Sequence, residues 1–273
     1  MTERLTTLQA VKDWLDISNT VSDSQLTRLI DSASRFVFNY LQRDTFSTVE
    51  HTDLTFQGNG KDRWMLPFWP VISVSSVGMN GTSIPASEAQ SYGKRGSGFQ
   101  VQKISPDANG PAEILLWGYQ FVYRAPCIVS FVSGYQTTET DVLAKVEPTD
   151  TTILVTPTTS GQWIADIGVT IDEVDAVKVN ADPTAGQYSV DAWGTYTFSA
   201  DDDTKTVVIT YNYCPWDVAF ACTQLIGEWW RRKDRIGVLS KTLGGQETIT
   251  FSQKDMTDSI RGMLGNYIRV APL

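Results

Sequence analysis

CPWDVAFACTQLIGEWWRRKDR, Cys214 to Arg235, is the longest clean helix signal in the chain, and β-rich sequence leads into it. Pro215 suits the first helical position, where its missing N–H would have had no partner. At the helical period Ala221, Leu225, Val218, Trp229, Cys222, Ile226, Ala219 and Trp230 share one arc, with Gln224, Arg231 and Gly227 opposite. That arc is wider than a surface helix needs. The spacing therefore predicts a helix packed on its own domain along one side and on something else along the other. Arg231, Arg232 and Lys233 place cations at the negative pole of the helix dipole, and Gly237 is the expected stop.

Two more helices stand at the N-terminus. Residues 7–17 are amphipathic, with Leu8, Val11 and Leu15 on one side and Thr7 available as a cap. Ser22 with Gln25 has the form of a capping box. It opens a stronger helix in which Leu26, Leu29, Ile30, Ala33, Val37, Tyr40 and Leu41 repeat over five turns. Phe36 sits at the edge of that stripe, whereas Phe38 is expected to point to the polar side, where an exposed aromatic ring either carries no meaning or marks a contact with a partner.

From Thr45 the period shortens. Val49 to Phe56, a GNGKD turn and Arg63 to Leu66 read as a hairpin, followed by strands at Val71–Val77, Phe99–Ile104, Ile114–Trp117 and Cys127–Tyr135. The block Val142–Tyr213 looks like a looser second version. VISVSSVGMNG at Val71 is echoed by IDEVDAVKVNA at Ile171, SGFQVQKI at Ser97 by GQYSVDAW at Gly186, and IVSFVSGY at Ile128 by VVITYNY at Val207. The Thr- and Asp-bearing stretch Gln136–Thr151 is expected to be an exposed linker. Beyond the long helix, the Gly244–Gly245 pair and the Thr248–Phe251 run predict a loop and an extended arm. Ser252 and Asp255 then open a last helix with Met256, Ile260, Met263, Leu264 and Tyr267 on one face. Gly262 and Gly265 weaken it by roughly 1 kcal/mol each relative to Ala.

Composition narrows the chemistry. An apolar fraction of 41% and a charged fraction of 19% over 273 residues describe a folded chain with a sizeable core. A net charge of −9 argues against gripping nucleic acid through its phosphates. The three cysteines, Cys127, Cys214 and Cys222, show no CxxC spacing and read as small buried thiols in a reducing compartment. The start lacks a signal-peptide core and no stretch reads as a membrane span, so the chain is expected to be made and kept in the cytosol unless a larger particle carries it out.

His51 is the single histidine and is read as a structural or surface residue, which leaves no triad base and no zinc cluster. GNGKD lacks the Ser or Thr and the upstream Gly of a phosphate loop, and GKRGSG at Gly93 lacks dinucleotide spacing. Asp201, Asp202 and Asp203 lack the Gly and distal Glu of a calcium loop and read as a solvated turn. No catalytic residue, cofactor or metal is expected.

The two ends together resemble the head-tail connector, or adaptor, family of long-tailed double-stranded DNA bacteriophages. The residues that carry the resemblance are LQAVKDWLDISNTVSDSQLTRLIDSASRFVFNYLQR at Leu8–Arg43, CIVSFVSGY at Cys127, PWDVAFACTQLIGEWWRRKD at Pro215, GVLSKTLGG at Gly237 and LGNYIRV at Leu264. Family members run from the GY strand almost directly into the Pro-initiated helix, whereas residues 136–213 intervene here. The resemblance implies a non-enzymatic homo-oligomeric ring, a dodecamer matched to the portal, in the virion neck between portal protein and stopper or tail-completion protein. DNA would pass through its lumen without specific binding, and an acidic lumen would let it slide.

The expected fold is therefore α+β. Residues 1–44 and 214–236 supply a helical connector body, residues 45–135 a first β-rich module, residues 136–213 an inserted second one, and residues 237–273 a C-terminal arm ending in a short helix. The insert is expected on the outside of the ring. Subunit contacts fall to Phe38, Trp230, Arg231 and Arg232, and portal docking to Leu239, Leu243, Ile249, Phe251, Met256, Ile260, Leu264 and Tyr267. Two other classes remain open. Nine tryptophans and Thr-rich strands also suit a carbohydrate-binding or adhesion module of a virion protein. A DNA-binding packaging subunit would instead bind duplex with a steep salt dependence.

Overall fold

The computed structural model describes residues 3–88, 96–104, 110–143, 152–154, 161–191, 193–233, 240–243, 247–250 and 256–269. They divide into two compact units. One holds residues 1–44 with 137–268, the other residues 45–136 with the C-terminal 269–273.

In the first unit Thr7 caps α1 (Leu8–Leu15) by accepting from the Ala10 N–H, as its sequence position suggests. The helix α2 (Asp23–Leu41) starts differently. Ser22 has helical backbone angles and makes no side-chain cap, so the expected capping box does not form. Lys12 is buried between the two helices and is matched there by Asp23 at 2.9 Å. The long helix α3 (Trp216–Arg232) follows Pro215 directly and buries Val218, Ala221, Cys222, Leu225 and Ile226. Ser34 accepts from the Leu5 N–H and sits 3.9 Å from the Cys222 thiol, while Phe36 meets Trp229 edge to face. Burial pushes the Cys222 thiol up to about 12 and Cys214 well above the usual thiol range, so both stay protonated as apolar filler.

The same unit carries strands. In one sheet the order is β11 (Val174–Asp175), β10 (Gln162–Ile171), β15 (Thr206–Cys214), β8 (Gln136–Val142). In another it is β12 (Val177–Lys178), β13 (Gln187–Val190), β14 (Thr195–Phe198), β9 (Thr152–Leu154). Asp166, on β10, links the two sheets. Its buried carboxylate accepts from Tyr188 and Tyr196 and pairs with Lys178 at 2.9 Å. Burial first, and then the Asp166 charge, raise the Tyr188 hydroxyl above the ordinary phenol range. Gly161 binds this module to the helices. Its φ is +146°, and a Cβ there would lie 1.9 Å from the Cys214 carbonyl oxygen at the β15–α3 junction.

The second unit has two antiparallel sheets. Their orders are β1 (Val49–Gln57), β7 (Pro126–Ser133), β3 (Val71–Met79), β4 (Thr82–Ile84), and β2 (Arg63–Met65), β6 (Ala112–Trp117), β5 (Gly98–Lys103). Leu66, Val77, Ile114, Phe121, Val129 and Phe131 are central to its core. His51 stacks between Phe68 and Phe131 with centroids 4.3 and 4.6 Å away, and its Nε2 lies 2.9 Å from the Ser133 hydroxyl.

These sheets overturn the expected fold. Seventeen strands stand against four α-helices among the described residues, so the protein is β-rich rather than a helical connector body with β insertions. The helices gave the strongest local signals because a 3.6 period is conspicuous over four or five turns. Short strands leave a weak trace even where they dominate the hydrogen bonding.

Four local readings change with it. β1 and β2 are not a hairpin, because the GNGKD backbone bonds to Phe121–Ala125 instead of closing a two-stranded turn. Gln136–Val142 is a strand, not linker, and residues 144–151 lie outside the described residues. The echo between Val71 and Ile171 fails in detail: β3 is one continuous strand, whereas Asp172 and Glu173 take positive φ and turn the chain between β10 and β11. Asp202 is fully buried, accepting from the Gly186 N–H and from Lys205, and is not part of a solvated turn.

Candidate assembly interface

The first helix crosses the third at a small residue. A Cβ on Gly227 would stand 2.8 Å from the Trp14 indole nitrogen, so only glycine lets that ring lie on α3. Sequence periodicity puts Gly227 on the polar side; α1 covers it. Trp14 then meets Phe220 edge to face at 5.3 Å, and Thr6 and Thr223 join their hydroxyls at 2.7 Å just below.

Along this seam runs a groove of about 340 Å³. Ala10 and Ala219 form its floor, Trp14, Trp216 and Phe220 its walls, and Asp13 and Gln162 its polar rim. The three aromatic residues are 44%, 47% and 42% exposed. A contiguous apolar surface of this kind is a candidate site for a partner surface or an apolar ligand. The groove has no arrangement of nucleophile, base and oxyanion donors, and among the described residues no cluster of His, Cys, Asp or Glu could hold a metal ion. Trp216 and Phe220 are spaced i, i+4 outside the main apolar arc, a signal in the sequence that the arc alone does not use. The aromatic at position 14 adds to it only once α1 is laid on α3.

The predicted contact residues separate into groups. Phe38 is 4% exposed, turned into its own unit. A charge introduced at Phe38 would therefore disturb folding, and Phe38 no longer stands as a surface contact. Trp230, Arg231 and Arg232 are at the end of α3 with partial or full exposure. Lys233 lies over the Trp230 ring at 3.4 Å, and Arg232 is 3.8 Å from Glu228. Of the residues expected to dock on a portal, Ile260 and Leu264 of α4 (Asp258–Leu264) and Met256 just before it are buried in the chain's own first unit. Tyr267 accepts at its carbonyl from Arg43. Leu239 and Phe251 lie outside the described residues. Leu243 and Ile249 belong to the antiparallel pair β16 (Ser240–Leu243) and β17 (Glu247–Thr250).

Comparison with known families bears on this arrangement. The head completion protein family model matches the chain from α1 through β6 and stops just before β7. Residues 4–125 match the head completion protein family. The match agrees with the resemblance to phage head-tail connectors, and it supports a structural role at a phage head and a place in the virion. It takes in Ala10, Asp13 and Trp14 of the head completion segment, while residues 126–273, with Trp216 and Phe220, lie beyond it. No curated protein matches the chain. Among the described residues no helix is long and apolar enough to cross a membrane.

Proposed function

We propose that this protein is a structural head-tail connector of a tailed phage. Copies form a ring beneath the portal, join the capsid to the tail or stopper, and leave a lumen through which DNA passes. The observation that carries the reading is the head completion match over residues 4–125. The exposed aromatic groove between α1 and α3 supports it, since a connector needs contact surfaces rather than a catalytic centre. The net charge of −9 supports a lumen that repels phosphate, with DNA sliding rather than held.

In this reading the end of α3, with Trp230, Arg231 and Arg232, belongs to the contacts between copies. Portal docking falls to the stretch that bears Leu239, Leu243, Ile249 and Phe251, because the apolar face of α4 is already covered by its own unit. The test is assembly without the protein. Phage particles made in its absence should accumulate as DNA-bearing heads that fail to join tails, and purified protein added to them should restore joining. Normal yields of joined particles in its absence would refute the connector role.

A further inference from the structure

A second exposed feature matches the groove in chemistry. Val122, Tyr123 and Arg124 form a turn in the second unit, with Val122 53% and Tyr123 66% exposed. The turn is pinned on both sides. Arg124 N–H donates to the Gly58 carbonyl at 2.8 Å, Gly58 N–H donates to Ala125 at 2.9 Å, and Gly60 N–H donates to Phe121 at 2.8 Å. Val122 N–H reaches the Met79 sulfur, and Phe121 beneath is fully buried. Arg124 holds a φ of +58°, which turns its guanidinium to 5.1 Å from the centre of the Tyr123 ring. The result is a fixed apolar knob with a cation beside it.

We propose that this knob seats in the Trp14–Trp216–Phe220 groove of a second copy of the chain. The proposal rests on the ring reading and names the contact that builds the ring. Three observations favour a second copy as the occupant. The groove offers aromatic walls and the knob an aromatic ring, and each is left in water within its own chain. Asp13 stands on the groove rim, held by the Gln9 amide at 2.7 Å, and supplies the charge opposite to Arg124. The knob is already rigid, so docking orders little further chain.

Groove and knob are different surfaces carried by different units. A contact between them is head-to-tail, and each copy keeps one free groove and one free knob after pairing. Such contacts propagate, into a ring where the rotation per copy closes and into a filament where it does not.

The test uses the full chain in sedimentation velocity, alone and with its portal protein. Tyr123→Asp and Phe220→Asp each change an exposed side chain, so circular dichroism should report native folds. Each should weaken self-association at least ~30-fold, the loss typical of a central aromatic contact. Because each variant keeps one intact partner surface, an equimolar mixture of the two should give heterodimers and stop there. Asp13→Arg and Arg124→Asp should each weaken assembly, and the double reversal should restore it. Assembly of both aspartate variants at wild-type strength would overturn this contact while leaving the ring reading in place. Loss of assembly in both with no heterodimer in the mixture would mean that the two surfaces face other partners, and would also overturn it. A wild-type chain that stays monomeric in both settings would overturn the contact and the ring together.

Discussion

His51 shows how one side chain's surroundings turn into a measurable dependence on pH. It stacks between Phe68 and Phe131, and Arg269 lies over the Phe68 ring at 4.2 Å from its centre. Burial, and then the Arg269 charge, hold its pKa below the ordinary 6.5. The folded state therefore gives up its proton more readily than the unfolded one. As pH falls below 6.5 the unfolded chain takes up more protons, so this contribution to stability is present above that pH and lost as pH falls through the folded value. Thermal unfolding should show wild type losing more melting temperature than His51→Gln between pH 7.5 and 5.5. Equal losses would contradict the assignment. The sequence places His51 in a strand as a structural or surface residue; its stacking partners lie 17 and 80 positions further on, at Phe68 and Phe131, and no local pattern joins them. Phe38 failed for a related reason: a helical wheel gives the direction of a side chain and not what lies there.

At the level of elements, helices were legible and sheets less so. Thr7 as a cap, the α2 stripe and the buried arc of α3 follow from period and propensity, which are local properties. The partner of a strand is not. GNGKD has the composition of a hairpin turn, yet its hydrogen bonds go to Phe121–Ala125, and that same pairing fixes the exposed Tyr123. The groove is missing from the sequence reading: Trp216 and Phe220 share a face but fall outside the main apolar arc, and Trp14 arrives from another helix over Gly227. The join between β15 and α3 can be tested in the same terms. At Gly161 any side chain meets both a positive φ and the Cys214 carbonyl oxygen. Gly161→Ala should lower stability by about 3 kcal/mol or more, read by denaturant unfolding, with loss of the α3 helix signal at lower denaturant. A change below about 0.5 kcal/mol, the ordinary range for surface positions, would show that the junction has room.

For the whole molecule, the two units cut across the modules suggested by sequence. The helices share a unit with the strands of residues 137–213, and the first β module stands as the other. Residues 4–125, the part that matches head completion proteins, draw on both. Composition argued early against a grip on phosphates, because a chain of net charge −9 repels them. It could not reveal contact surfaces, which exist only once distant aromatic residues are brought together. The most direct measurement is negative-stain electron microscopy of the purified chain, alone and mixed with its portal protein. The connector account predicts closed rings in the first sample or collars on the portal in the second. Monomers in both, with portals bare, would contradict it.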